Sequence, residues 1–356
     1  MFMERCRRLL ERIQPRGADA MLVCFPENRR YLSGFTGSNA ALFIHEQRRA
    51  LFTDFRYLQM AGSESPDFDI LPVNQFVSIW DSVALAAREA GARCVGFESD
   101  HVTVEWLNLV KKEFPINLLP CPGIIEDLRA YKDAEEIEAI AQANAYSVDA
   151  LEHVLPLVKP GVSELDLSGE IQYRFAKKGY PISFIPIVAS GPNGSMPHKR
   201  ATERKIQAGE FVTFDFGCRY KGYCGDFTRT VAVGSPTDEM RSIYQIVLDA
   251  QKLALERIKP GALCRDVDRA ARGYIAEKGY GDYFGHGLGH SVGLEVHEEP
   301  RFTEYCGAAL GPGICISIEP GIYLPNRFGV RIEDIVCVTS DGYRNFISAP
   351  KELLVL

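Results

Sequence analysis

The chain has 356 residues, with 40 Lys and Arg against 47 Asp and Glu. That length exceeds one typical domain and predicts two, each burying its own core. A net charge of -7 with interspersed signs leaves no basic footprint, so neither nucleic acid nor an anionic membrane is expected as a partner.

The opening run MFMERCRRLLERIQ carries basic residues but no uninterrupted apolar stretch, which reads as an amphipathic helix and not a signal peptide. No window approaches the apolar length that spans a bilayer, and the expected location is cytoplasmic. β-rich runs at 20–25, 40–45, 49–53, 68–73, 93–97 and 116–120 then alternate with helical patterns at 76–90 and 104–113. This predicts an α/β domain over residues 1–127 that holds both tryptophans, Trp80 and Trp106. A junction near residue 128 follows, because Lys132-Asp133 precedes an acidic first turn of Glu135, Glu136 and Glu138, suited to a helix N-terminus. The helical pattern runs on to residue 158, inside a second domain over 128–356. Ten cysteines are scattered without a C-x-x-C pair, so they are expected reduced and mostly buried, with no assigned role.

The second domain repeats itself at an offset of 100 residues. Lys159-Pro160-Gly161 recurs as Lys259-Pro260-Gly261, and Lys178-Gly179-Tyr180 as Lys278-Gly279-Tyr280, each pair of tags enclosing a helical run. AGEFVTFDFG (208–217) then parallels GPGICISIEPG (311–321), placing Asp215 against Glu319. DFTRTVAV (226–233) parallels EDIVCV (333–338), setting Asp226 against Glu333. Tags, spacing and matched acids together indicate duplication, with four carboxylates converging between the halves.

Strand parity supports this, since Asp215 shares a face with Thr213, and Glu319 with Ser317, opposite apolar residues. Four converging carboxylates repel and need positive charge, from divalent metal ions or from Arg229, Arg327 and Arg331. The run Gly285-His286-Gly287-Leu288-Gly289-His290-Ser291, with His297 close behind, tips the reading toward metal: its glycines suit close backbone approach to a site. Four carboxylates and one imidazole, His290, fit two ions, with manganese, cobalt or zinc favoured over copper. Such a pair activates water and stabilises charge on a carbonyl, which is hydrolytic machinery.

Asp215, Asp226, His290, Glu319 and Glu333, in this order and spacing, resemble the ligand set of the pita-bread metallopeptidases. VASGPNGSMPH, DFGCRYKGYCGDFTRT, GHGLGHSVGLEVHEEPR, SIEPGIY and GVRIED resemble its proline-specific branch, strongly over residues 128–356 and moderately in the first domain through YLSGFTGSNA. The fold class implied is α/β (α+β), a creatinase-like N-terminal domain ahead of the duplicated catalytic domain. The resemblance makes Asp215 and Glu333 bridging ligands and Glu319 both ligand and proton shuttle. It sets His198 at the substrate amide, His297 where it orients substrate or stabilises the tetrahedral intermediate, and Arg301 at a substrate carboxylate. His286 either lines the site wall or holds the glycine loop, Tyr323 is expected to line the substrate cleft, and Thr228 and Arg331 to back the ligands.

The activity implied is cleavage of the Xaa-Pro bond at the N-terminus of short peptides with proline second, as an Xaa-Pro aminopeptidase that uses two divalent ions, manganese first. An Xaa-Pro dipeptidase is the alternative: Arg301 favours a free C-terminus, GFTGS the aminopeptidase side. A metal-free peptide-binding module of the same fold and a creatine-hydrolysing relative are disfavoured by the full ligand set, and methionine aminopeptidases by the N-terminal domain and by Arg301. The first domain is expected to cover the cleft or to make the contact of a homodimer.

Overall fold

The computed structural model describes residues 1–74, 78–113 and 116–356. They divide into two compact units, Met1–Arg129 and Ala130–Leu356.

The first unit opens with helix α1 (Phe2–Ile13), amphipathic as its sequence predicts, with Leu9, Leu10 and Ile13 buried. Strand β1 (Ala20–Val23) is shorter than its apolar run because Pro26 starts helix α2 (Pro26–Ser33), which ends at Gly34 with a left-handed φ of 82°. Next come β2 (Ala40–His45), β3 (Arg48–Asp54), α3 (Leu58–Glu64), β4 (Asp69–Val73), α4 (Ile79–Glu89), β5 (Cys94–Phe97), α5 (Val104–Glu113), β6 (Asn117–Pro120) and α6 (Ile124–Arg129). The expected start of the 76–90 helix lies partly outside the described residues; Ser78 caps α4 by accepting from the Asp81 amide. The strands form one mixed sheet in the order β4-β3-β2-β1-β5-β6. Its core gathers Leu22, Phe43, Phe52, Val83, Val95 and Val110, with Trp80 and Trp106 edge to face at 5.2 Å.

One buried acid in this unit gives a testable pH dependence. Glu98 is 2% exposed, and burial pushes its carboxyl up to about 7 despite accepted bonds from the Cys24 and Phe25 amides and from Asn28. The folded chain therefore holds this proton where the unfolded chain has released it. Stability contributed by the protonated group is full below pH ~4.5 and lost as pH rises through about 7, worth about 3 kcal/mol. Glu98→Gln should remove that component from denaturant midpoints measured between pH 4.5 and 8; an unchanged slope against pH refutes it.

The second unit contains α7 (Ala134–Val154), α8 (Glu164–Lys177), β7 (Ile187–Ser190), β8 (Glu210–Phe216), β9 (Arg219–Tyr220), β10 (Tyr223–Cys224) and β11 (Phe227–Val233). A similar series follows with α9 (Asp238–Leu255), α10 (Cys264–Glu277), β12 (Gly289–Ser291), β13 (Glu298–Phe302), β14 (Cys315–Ile318), β15 (Gly321–Leu324), β16 (Phe328–Arg331), β17 (Asp334–Val338) and β18 (Tyr343–Asn345). Asp133 begins α7 with a capping box, its side chain accepting from Glu136 N while the Glu136 carboxylate accepts from the Asp133 amide.

The repeat persists in the backbone. Gly161 and Gly261 both take left-handed φ, 90° and 83°, and their amides donate to Ile206 O and Leu310 O at 2.9 and 2.8 Å. Ser163 bridges Lys205 as Leu263 bridges Ala309. The sheet order β7-β8-β11 in the first half matches β12-β14-β17 in the second, where β13 and β18 extend the edges. The helices pack their buried faces on these sheets: Leu167, Ile171 and Phe175 join Val212, Phe214 and Phe216, while Val267, Ala271 and Ile275 join Ile316 and Ile318. All ten cysteines are free, seven buried and three half-buried. Among the described residues no helix is long and apolar enough to cross a membrane.

Candidate metal centre and cleft

The ligand candidates sit where paired strands begin or end. Asp215 lies in β8 opposite Thr228 of β11, and Asp226 immediately precedes β11. In the second half Glu319 follows β14 directly, and Glu333 immediately precedes β17. His290 is the middle residue of β12, which hydrogen-bonds to both β13 and β14. Gly289 permits this crowding, since a Cβ there would stand 2.0 Å from the Ser317 carbonyl oxygen.

These five side chains line one cleft of about 500 Å³, together with His198, Arg200, His286, His297, Arg301 and Arg331. Ligand atoms of Asp226, His290 and Glu333 all lie within 4.8 Å of one another. His290 Nδ1 donates to the Ser291 carbonyl at 3.1 Å, which turns Nε2 to within 3.3 Å of Glu319 Oε1 and 3.8 Å of Asp226 Oδ2. Ser317 couples the second half's ligands, accepting from the His290 amide at 3.0 Å and donating to Glu319 Oε1 at 3.0 Å.

Arg331 backs Asp215 rather than Glu333, although it sits two residues from the latter. Its Nη2 meets Asp215 Oδ2 at 2.6 Å, Nη1 donates to the Tyr323 hydroxyl at 2.9 Å, and Nε donates to Thr228 Oγ1 at 3.1 Å. Thr228 in turn donates to Glu333 Oε2 at 2.7 Å, so one guanidinium orients two acids, one directly and one through a hydroxyl. The other arginines that could have neutralised the acids are engaged elsewhere: Arg229 with Asp334, and Arg327 with Glu239. Tyr323 is buried and reaches the cleft through its neighbours. Its hydroxyl donates to His286 Nε2 at 2.9 Å, since His286 Nδ1 already donates to the Gly287 carbonyl at 2.8 Å.

The electrostatics report a shortage of positive charge. Burial and neighbouring acids raise Asp226 and Glu333 well above the usual carboxylate range, and burial raises Asp215 despite Arg331. Burial also opposes charge on Glu319 and His290, yet their mutual bond wins, holding Glu319 down at about 2 and His290 up at about 9. His286 is pulled down by burial, and His297, open to the cleft but with its ring packed on His290, down to about 4 by that partial burial and the nearby His290 charge. Asp215 Oδ1 is buried with no hydrogen-bond partner, an expensive state for a carboxylate oxygen. An orphaned oxygen on one of three acids raised in pKa fits divalent ions, which supply the missing charge and take oxygen and imidazole donors. A second potential ligand group, Asp100, His101 and Glu126, lies mostly exposed in the first unit, where Glu126 already bonds His101 and Asn28.

Around the centre, His198, His297 and Arg301 are exposed on the cleft wall. Arg301 stands opposite His290 in the β12–β13 register, and the His297 ring meets that of His290 edge to face at 4.4 Å. Phe184, Ile185, Ile187 and Val296 give the wall an apolar side that the sequence reading did not anticipate. The signal was present as the run Phe184-Ile185-Pro186-Ile187-Val188, directly ahead of the segment that carries His198.

Comparison with known proteins identifies the family of both units. Residues 138–340 match the model of metallopeptidase family M24, and residues 5–131 that of the creatinase/prolidase N-terminal domain. An Xaa-Pro dipeptidase of Pyrococcus horikoshii is 34% identical over 363 residues, covering 99% of each chain. The solved structure of an Xaa-Pro dipeptidase from Bacillus anthracis superposes with a TM-score of 0.97 at 41% identity, covering 100% of both chains. That of an X-Pro aminopeptidase from Thermotoga maritima gives 0.91 at 32% identity, over 97% of this chain and 100% of the other. The chain therefore belongs to metallopeptidase family M24, in the proline-specific branch of the pita-bread enzymes, and is a metallo-exopeptidase.

Proposed function

We propose that the protein is an Xaa-Pro dipeptidase that hydrolyses dipeptides with a C-terminal proline, using two divalent ions held by Asp215, Asp226, His290, Glu319 and Glu333. The sequence reading put an aminopeptidase first. The dipeptidase names of several full-length relatives favour the alternative, and Arg301, which with Arg200 is an exposed cation on the cleft wall and meets Glu299 at 3.3 Å, supports it as a partner for a free carboxylate. The hard oxygen donors favour manganese among the candidate ions. A cytoplasmic homodimer, with the 1–127 domain as dimer contact or cleft cover, completes the proposal.

When bound, the ions supply an activated water and Lewis acidity at the scissile carbonyl. The Xaa-Pro nitrogen carries no hydrogen, so it leaves only when a proton is delivered to it. In this reading Glu319 carries that proton from water to the nitrogen. His297, held neutral, donates to the oxygen that becomes negative, and His198 meets the substrate amide. Arg301 pairs with the proline carboxylate through its guanidinium fork, and the Phe184 and Ile185 side of the wall suits the proline ring.

The test is a rate comparison on Ala-Pro, Ala-Pro-Ala and Met-Ala-Ala with added manganese. Ala-Pro should be cleaved fastest, and Arg301→Ala should raise its KM by roughly 10-fold or more while changing that of Ala-Pro-Ala less. Preference for Ala-Pro-Ala restores the aminopeptidase reading, and equal KM changes remove the role of Arg301.

A further inference from the structure

Next to the His290 strand lies a buried ion pair that the peptidase chemistry leaves unused. Lys132, just ahead of α7, has a side chain 1% exposed, and its Nζ lies 3.1 Å from Glu298 Oε2, itself 6% exposed. The same ammonium donates to Ser291 Oγ at 3.1 Å and to the Ala130 carbonyl at 3.4 Å, so all three of its protons are engaged. A buried pair of this kind adds little net stability over apolar residues of similar size, which leaves its presence to be explained by placement.

Both partners hold the segment that joins β12 to β13. Ser291, fixed by Lys132, donates to the Cys315 carbonyl at 2.9 Å, and its own carbonyl accepts from His290 Nδ1. A register shift falls between His290, which pairs with Arg301 of β13, and Ser291, which pairs with Glu298 of the same strand. Glu298 Oε1 accepts from the Glu295 amide at 3.2 Å, and the Glu295 carbonyl accepts from Gly293 N at 3.0 Å. Gly293 leaves the space this needs: a Cβ there would stand 2.5 Å from the Glu298 carboxylate. The Lys132 amide also donates to the Gly313 carbonyl at 3.0 Å, at the approach to β14 and Glu319.

We propose that Lys132 and Glu298 are positioning residues that fix the 291–298 segment, and with it the aim of His290 Nε2 and the seat of His297. The proposal rests on His290 being a metal ligand and deepens that reading of the site. Lys132 fixes His290 by way of Ser291. Glu298 fixes His297, its neighbour in the chain, by closing the turn through Glu295 and Gly293.

The experiment separates placement from stability with a double variant. Lys132→Met alone leaves the Glu298 charge buried and should lower Tm; adding Glu298→Gln removes that charge and returns Tm toward the parent value. In the refolded double variant, manganese titrated calorimetrically into chelator-treated protein should bind about 10–100-fold more weakly. Its kcat on Ala-Pro should fall by roughly 10-fold or more with KM within about 3-fold, because substrate contacts are left in place. Parent-like manganese affinity and kcat at restored Tm overturn the proposal. Should the double variant not fold, Ser291→Ala removes the single hydroxyl of the relay, and parent-like affinity and kcat there overturn it equally. A parent protein that binds manganese yet leaves Ala-Pro intact counts against the substrate reading alone, and the titration still decides the role of Lys132.

Discussion

Asp226→Ala should lower kcat/KM on Ala-Pro by about 10^3-fold or more and leave the chain folded. The magnitude follows from removing one ligand of a centre that supplies several kcal/mol of transition-state stabilisation, about 4 kcal/mol being three orders of magnitude in rate. The fold survives because the structural link at this position is the Asp226 amide, donating to Asn144 Oδ1 at 3.0 Å, which the substitution keeps. Burial and the Asp215 charge already push the Asp226 carboxyl far up, so removing the side chain relieves the cost of burying that acid. Chelator-treated Asp226→Ala should therefore melt no lower than the parent, by circular dichroism, while calorimetry with manganese shows weakened binding. Full turnover in this variant removes Asp226 from the centre.

Arg331→Met has the second largest expected effect, and of a different kind. The guanidinium is 5% exposed and serves Asp215, Thr228 and Tyr323 at once. Deleting it leaves Asp215 without its one close cation, which should cost about 3–5 kcal/mol of stability in protein without added metal. Turnover should fall by roughly 10–100-fold even with metal added, since Asp215 and Glu333 lose the group that orients them. Arg331→Lys separates the two effects. A lysine can restore the charge beside Asp215 but cannot fork to Thr228 and Tyr323 as well, so Tm should recover while kcat stays low. Recovery of both in the lysine variant would reduce Arg331 to a simple counterion.

The pattern of these two residues shows what the sequence discloses. Asp226 was legible because a repeat at fixed offset set it against Glu333, and because strand starts in both halves carry an acid. Arg331 was legible as a neighbour of Glu333 but not as the partner of Asp215, which lies 116 residues away. Periodicity reports which face a residue occupies on its own strand, whereas pairing between halves depends on register set by the whole fold. Lys132 and Glu298, 166 residues apart, were hidden for the same reason. Among the elements, the long amphipathic and β-branched runs came through with ends shifted by a few residues. The short helices α2, α3 and α6 did not, because six to eight residues offer two turns at most, too few for a period to stand out. Pro26 at a first turn and Gly34 beyond a last one were the available signal for α2.

The candidate ligands are contributed by both copies of the duplicated unit, Asp215 and Asp226 by one, His290, Glu319 and Glu333 by the other. An ion gripped from both sides binds only when both copies are folded at once, so its binding free energy is shared between them as cooperativity. Amide hydrogen exchange on adding manganese should then slow in β8 and β11 as well as in β14 and β17, even though those strand pairs lie in different sheets. A bound ion would thereby cross-link the two halves, setting how far either opens without the other.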